Sequence, residues 1–258
     1  MTDEFTSHDP VNTVPQPQPE QASLTDRMIA VFTAPSQAMA AVAKNPAIWF
    51  PMLVLFALAA ISMGASMHIS MPQSMEAMGQ YMPGEMQGDY ADSIEPYRDP
   101  SMGRRIWEGF KNGLNILIGF LLIPGSLLFL FMKLSGGKGK YGQSLAVVFW
   151  AGLITFGLKS LLSWIILVLT ESMKFASLNG IIFMSEFNPL SPLAVAAGLL
   201  GDPFFYWMLW VIVIGLAQVH EVPRSKAATV VFAMHILLSV IMIGVTLVVQ
   251  IFMGKLTG

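Results

Sequence analysis

The 258-residue chain has no cysteine and few charged residues. Without cysteine, the protein has no disulfide, no thiolate metal site and no cysteine nucleophile. Charged residues make up 12% of the chain, against about 25% in soluble domains, and the net charge is −2. Because there is no basic surplus to neutralise phosphates, the composition disfavours nucleic-acid binding. Apolar residues are abundant instead, at 54% of the chain with 19 methionines among them.

The few charges avoid five long apolar windows. Together these windows cover 117 of the 258 residues but contain only one of the 30 charged side chains, that of Lys159. Their lengths suit helices that cross about 30 Å of hydrocarbon. We therefore predict an all-α, polytopic membrane helix bundle with about five transmembrane helices in a domain over residues 47–254. The predicted helices cover residues 47–69, 112–134, 143–169, 203–219 and 227–253.

Two further segments precede the first predicted transmembrane helix. Residues 1–22 are acidic and rich in proline and glutamine, which predicts a disordered tail because they offer little to bury. Residues 23–46 carry apolar side chains at helical spacing on both sides of Pro35. This pattern predicts an amphipathic segment, interrupted at the proline, that lies in the membrane interface beside the first span.

Lysines and arginines in the short loops indicate an orientation. The loops over residues 133–140 and 220–226 are basic for their length, whereas residues 70–111 also carry seven acids. We therefore expect a cytoplasmic N-terminus and a C-terminus on the opposite side of the membrane. In a bacterium this would be the inner membrane.

Lys159 is the one charged residue inside an apolar window. A lysine at the bilayer centre costs about 3 kcal/mol, so a charge there suggests a function. The favoured alternative is that the side chain snorkels to the interface, which Trp164 would mark, since the spans contain no carboxylate as a partner. His235, in the fifth span, is expected to pack or to bond a polar group across the helices rather than to relay protons.

A run of methionines begins in the first span and includes His68. Thioethers are soft ligands that suit Cu(I), and a metal site there would use Met67, His68, Met71, Met75 and Met78. The favoured interpretation is a helix face that packs through flexible thioethers. The later residues of the run, Met82 and Met86, follow Pro72, which is expected to break the helix. We therefore assign no metal ligand and no cofactor.

Catalytic motifs are incomplete or missing in the sequence. His220-Glu221 begins like the helix motif of zinc proteases, but the second histidine, four residues on, is replaced by Arg224. The chain contains no G-x-S-x-G nucleophile turn and no G-x-x-x-x-G-K-[ST] phosphate loop. We predict that the protein is not an enzyme and assign no catalytic residue. The spacing of Ala60 and Gly64 is typical of close helix contacts.

Three stretches share a pattern with a known family. The first runs from Val31 through Lys44-Asn45-Pro46 to Trp49, the second is the basic loop from Lys133 into Ser144-Leu145-Ala146, and the third runs from Asp202-Pro203-Phe204 to Pro223-Arg224-Ser225-Lys226-Ala227. Asn188-Pro189-Leu190 precedes the third. Together they resemble the Yip1 family of five-span membrane proteins, in its bacterial branch. The resemblance covers about residues 24–253.

The resemblance implies a cytoplasmic N-terminus, in agreement with the loop charges. Eukaryotic members act in membrane traffic with small prenylated GTPases, but the matched positions are helix and turn residues, so no such partner is carried over. We predict a non-catalytic multi-pass protein that organises membrane or partner proteins. Its expected partners are the lipid bilayer and an unknown protein or a second copy of the chain. The alternatives are a small transporter or channel and an outer-side Cu(I) or Ag(I) site.

Overall fold

The computed structural model of the protein describes residues 23–79, 92–183 and 191–256. Within these ranges all regular elements are helical, and five helices are long and apolar enough to cross a membrane. The predicted all-α polytopic bundle is therefore confirmed. The predicted disordered tail over residues 1–22, the last two methionines of the run and residues 188–190 lie outside the described residues.

Eight helices position the features that follow. Three of them are short: α1 and α2 form an N-terminal hairpin, and α6 is a short apolar helix. The other five are the candidate membrane spans. In chain order they are α1 (Leu24–Thr33), α2 (Pro35–Lys44), α3 (Trp49–Gly79), α4 (Met102–Leu134), α5 (Tyr141–Thr170), α6 (Pro192–Leu200), α7 (Pro203–His220) and α8 (Arg224–Leu256).

Two predicted boundaries differ from the structure. α4 begins ten residues before the predicted start, because Ser101 caps it by accepting a hydrogen bond from the backbone N–H of Arg104 at 3.3 Å. The first turns of α4 are charged on one face, and a search for continuous apolar residues misses such an amphipathic extension. The prediction that Pro72 breaks the methionine run was wrong, since α3 continues through it to Gly79.

Two of the spans contain a π-helical segment. Residues Ile116–Leu122 of α4 are π-helical and end two residues before Pro124. There the N–H of Ile123 bonds the carbonyl of Ile118, five residues back, which accommodates the register change next to a residue without an N–H. Residues Leu153–Lys159 of α5 are also π-helical, and this segment ends at the lone charge of the span.

The hairpin of α1 and α2 packs into the bundle core. Pro35 is the first residue of α2 and separates the two helices, as the sequence predicted. The apolar face of the hairpin is fully buried at Val31, Met39 and Val42, which belong to the same core cluster as residues of α5 and α7. This face therefore contacts protein. A location of the hairpin in the membrane interface remains a prediction.

The first span, α3, begins beside Trp150 of α5 and not beside the first residue of α5. The ring of Phe50, near the start of α3, stacks on Trp150 at 5.7 Å between centroids, and Trp150 Nε1 donates to the carbonyl of Ala47 at 3.1 Å. Trp150 lies nine residues after Tyr141, or about 13 Å along α5. The hairpin packs beside the first residues of α5, in the space that α3 leaves free. We call this end of the bundle, which carries the loops over residues 135–140 and 221–223, the basic end.

Candidate functional site

An ion pair joins α5 to the start of α7. Lys159 Nζ lies 2.6 Å from Asp202 Oδ2, and the two side chains are 14% and 9% exposed. Asp202 Oδ1 accepts a hydrogen bond from the backbone N–H of Phe205 at 3.1 Å, so the same carboxylate also caps α7. Lys159 therefore ends at a buried carboxylate of a neighbouring helix, in place of the snorkelling arrangement that the sequence favoured.

A carboxylate partner for Lys159 was considered only inside the apolar windows, and Asp202 lies outside them. It is one residue before the fourth window. In the structure, α6 ends at Leu200 and α7 begins at Pro203, so the aspartate occupies a break between two apolar helices. Asp202 precedes α7, which has 18 residues and ends at the basic end. Lys159 lies the same number of residues after Tyr141, where α5 begins at that end. The side chains of Asp202 and Lys159 are therefore at the same height in the bundle.

A cavity of about 470 Å³ is lined in part by Lys159. Its walls come mainly from α3 and α5, with Asn112 from α4. Six serines, Thr155 and Lys159 supply the other polar side chains, and Met63, Phe156 and Leu167 are among the apolar ones. We call it the serine cavity. Lys159 lines the cavity and also forms the ion pair, so the cavity and the ion pair share this residue.

Two polar atoms in the wall of the serine cavity are buried without a partner. These are Ser70 Oγ and Trp164 Nε1, neither of which has a hydrogen-bond partner in the described part of the chain. A buried donor without a partner costs about 1–3 kcal/mol. Two residues that line the cavity therefore retain hydrogen-bonding capacity that the described residues do not use.

A second buried polar pair lies at the basic end. Ser144 Oγ of α5 and His220 Nε2 of α7 are 2.8 Å apart, and both residues are fully buried. The distance is that of a nucleophile and its general base. However, full burial excludes substrate, and His220 Nδ1 has no partner among the described residues that would orient the ring. The pair therefore serves as a hydrogen bond between two helices.

Residues 136–140 pack closely on the end of α7. The backbone N–H of Lys138 donates to the carbonyl of His220 at 3.1 Å. A Cβ on Gly137 would lie 2.5 Å from His220 Nδ1, and one on Gly139 would lie 2.5 Å from Val219 Cγ1. The glycines of this loop therefore permit backbone contact with α7, and Lys138 also pairs with Glu221 at 2.9 Å.

Replacing Ser144 with alanine is expected to destabilise the protein by about 1–3 kcal/mol, because His220 would keep its buried ring without its Nε2 partner. Thermal unfolding of the purified protein in detergent measures the effect. Thr246→Ala is the matched control, since Thr246 is half-buried and its hydroxyl bonds only the backbone of its own helix. Equal stability of the two variants would contradict a structural role for the Ser144–His220 bond.

Three side chains hold the N-terminal hairpin against the bundle through backbone carbonyls. Arg27 Nη1 donates to the carbonyl of Asn45 at 2.8 Å, and its guanidinium lies 5.5 Å from the ring centre of Trp150. Gln143 Nε2 donates to the carbonyl of Ala43 at 2.8 Å. Gln218 Nε2 donates to the carbonyl of Ser36 at 3.2 Å. The hairpin is therefore fixed by directional bonds as well as by its apolar face.

Arg27 is 5% exposed, and burial lowers the pKa of its guanidinium below its usual value. Trp150 supplies an aromatic face next to the charge, which compensates part of the lost hydration. A buried arginine at this position ties α1 both to the end of α2 and to α5. The amphipathic pattern of residues 23–46 gave no indication of this contact.

The other sequence-predicted residues are placed apart from the serine cavity. His235 of α8 is 6% exposed and packs on the rings of Phe205 and Tyr206 at 5.0 and 5.7 Å. Its Nε2 forms no hydrogen bond with the described residues. The bond across helices that the sequence suggested is therefore not made by this atom, and the ring packs against aromatic neighbours instead.

The methionine run lies along one continuous helix. Met67 is fully buried and the adjacent His68 is exposed, so these two candidate ligands point in different directions. Met71 and Met75 follow Met67 at four-residue spacing on α3, and Met78 follows Met75 after three residues. In the described ranges, no group of three or more His, Asp or Glu side chains is arranged to hold a metal ion. A thioether site stays a prediction.

The three stretches that carry the family pattern meet in space. Phe32 of the hairpin packs edge-on against Trp207 of α7 at 6.1 Å. Met39 packs so closely on α7 that a Cβ on Gly215 would lie 2.9 Å from its Sδ. The basic loop and Ser144 contact the other end of α7 at His220. The shared pattern therefore encodes one packed unit of hairpin, α5 and α7.

Comparisons with known proteins agree with this unit. The model of the Yip1 domain matches residues 29–247. A glycerol-3-phosphate acyltransferase of Thermosipho melanesiensis is 34% identical over 84 residues, which is 31% of this chain and 40% of that protein. The match thus spans less than half of the relative's length. No solved structure matches the chain. Because the Yip1 model covers most of the chain, including most of the hairpin and both sides of the serine cavity, the protein belongs to the Yip1 domain family.

Proposed function

We propose that the protein is a non-catalytic membrane protein that organises partner proteins at its basic end. The observation that carries this proposal is the fixed hairpin. Arg27, Gln143 and Gln218 hold its backbone while its apolar face is buried. The opposite face of α1 points away from the bundle, and its Ile29 is 53% exposed. A rigid, exposed helix face is a suitable surface for a partner.

The contacts at the basic end support binding rather than catalysis. The acyltransferase relative raises the question of acyl transfer, but the match covers 40% of that protein. Ser144 and His220 have the spacing of a nucleophile and a base, and both have 0% exposure. A nucleophile must reach its substrate, so this pair supports no acyl transfer in this arrangement.

The packing of the basic half also disfavours transport. The serine cavity is lined by residues of the far half of the bundle, which is the half away from the basic end. Below it, Leu55, Leu121 and Trp150 are fully buried in the apolar core, next to Gly152. A solute path would have to pass through this close-packed region. The arrangement supports the organising role over a small transporter or channel.

Site-specific photocrosslinking in cells tests the proposal. A photoreactive phenylalanine analogue at Ile29 is expected to form adducts with a defined protein, or with a second copy of the chain. The matched control is the same residue at Val240 of α8, which is 62% exposed and lies in a span. Gln143→Ala combined with Gln218→Ala should reduce the Ile29 adducts several-fold, since it removes two of the bonds that hold the hairpin. Only lipid adducts at Ile29, or the same protein adducts at both positions, would reject the proposal.

A further inference from the structure

We propose that the serine cavity binds the phosphate-bearing headgroup of an amphiphile, with a membrane phospholipid as its source. This is a binding site in the far half of the bundle, and it is independent of the partner role proposed for the basic end. Four features support it. They are the hydrogen bonds already made by the Lys159–Asp202 pair, the donors without a partner, the surrounding spans, and the two interruptions of regular helix at this ion pair.

The polar groups of the cavity-lining residues that still lack a hydrogen-bond partner are N–H and O–H groups. Both carboxylate oxygens of Asp202 are engaged, one by Lys159 and the other by the N–H of Phe205. An ammonium has three N–H donors, and Asp202 uses one of those of Lys159. The indole N–H of Trp164 and the hydroxyl of Ser70 have no partner in the described ranges. Such a set matches a ligand rich in acceptor oxygens, and a phosphodiester has these without any donor.

The site lies among membrane spans, which points to a lipid. Ser70 is in the span Trp49–Ala77, Asn112 is in the span Met102–Leu134, and Trp164 is in the span Tyr141–Thr170. Hydrophobic side chains flank the polar wall, namely Met63, Phe156, Leu167 and Ile181. A headgroup at the serines and Lys159 would leave its acyl chains against these residues. A free phosphoester would share the polar contacts but not the apolar ones.

Two interruptions of regular helix structure meet at the cavity. The π-helical segment of α5 ends at Lys159, and the break between α6 and α7 contains Asp202. π-helical segments inside α-helices occur frequently at functional sites. Each interruption carries one partner of the ion pair, and Lys159 is the partner that lines the cavity.

Lipid titration of the full-length, delipidated protein in detergent, followed by native mass spectrometry, tests the site. Dioleoyl phosphatidylglycerol is expected to bind at least about tenfold more tightly than dioleoylglycerol, which has the same chains without phosphate. Trp164→Phe keeps the ring and removes the donor, and Ser70→Ala removes the hydroxyl. Each is expected to weaken phosphatidylglycerol binding about fivefold to tenfold, as the loss of one hydrogen bond to a charged group does.

Trp210→Phe is the matched control, because Trp210 is 49% exposed on α7 and does not line the cavity. Its affinity should equal that of the unmodified protein. Competition by glycerol 3-phosphate at submillimolar concentration would assign the phosphate site to a free phosphoester, and no competition would assign it to lipid. Equal affinity for the two lipids, or an equal loss with Trp210→Phe, would overturn the proposal. Thermal unfolding of each variant separates a binding defect from misfolding.

Discussion

Replacing Asp202 with asparagine is expected to destabilise the protein by about 3–5 kcal/mol. The asparagine keeps the size and the capping oxygen of Asp202, so the change isolates the loss of the negative charge. It leaves the Lys159 ammonium, whose side chain is 14% exposed, without its counter-charge. Removing one partner of a buried ion pair has this cost because the remaining charge is neither hydrated nor paired.

The double variant Lys159→Met/Asp202→Asn should recover most of that stability, since a buried pair can often be replaced by apolar or neutral groups without loss. Thermal unfolding in one detergent, compared across the single and double variants, gives the coupling between the two positions. Glu221→Gln is the control, because its pair with Lys138 has side chains 64% and 75% exposed and should contribute at most about 1 kcal/mol. A double variant as unstable as Asp202→Asn would contradict the ion pair.

The spans could be predicted because charge is excluded from hydrocarbon at every residue of a transmembrane window. That argument located α3, α4, α5, α7 and α8 and identified Lys159 as the exception. It could not locate Asp202, because a carboxylate between two apolar helices has the local sequence of a loop. Pairing depends on the level at which α7 starts relative to α5, which is a property of the packed bundle.

The serine cavity had a sequence signal that was overlooked. Ser62, Ser66 and Ser70 recur every four residues, so they share one face of α3. Ser160 and Ser163 have three-residue spacing on α5. Two polar stripes within apolar spans predict a polar contact between those spans. Which stripes face each other, and whether they enclose a cavity, depends on long-range packing that one sequence does not reveal.

The hairpin illustrates a different limit of sequence reasoning. Apolar residues at helical spacing on both sides of Pro35 predicted one amphipathic segment interrupted at the proline, and the structure has two helices there. The same pattern is produced by a helix that faces lipid headgroups and by one that faces protein. The distinguishing residue is Arg27, whose buried guanidinium bonds Asn45 and lies near Trp150. These contacts join residues far apart in the chain, so local periodicity does not predict them.

Replacing Gly109 with valine is expected to cost about 3 kcal/mol, at the upper end of overpacking effects. Gly109 lies on α4 where it crosses α3, and a Cβ there would overlap the backbone oxygen of Ala60. A backbone atom cannot rotate away, so the helices would have to separate. Their separation would also break the bond from Asn112 Nδ2 to the carbonyl of Ala59, which is 3.1 Å long. The unfolding temperature and the yield of folded protein measure the loss.

Gly103→Val on the same helix is the matched control. A Cβ at Gly103 meets no atom within 4 Å, so the variant shares the change in helix propensity without the clash. The small-residue spacing of Ala60 and Gly64 predicted a close contact without naming its partner helix. In the structure a Cβ on Gly64 would lie 3.0 Å from the carbonyl oxygen of Arg105, so α4 supplies that partner. If Gly109→Val were as stable as Gly103→Val, α3 and α4 would not cross at Ala60. The wall that Asn112 contributes to the serine cavity would then lose its support.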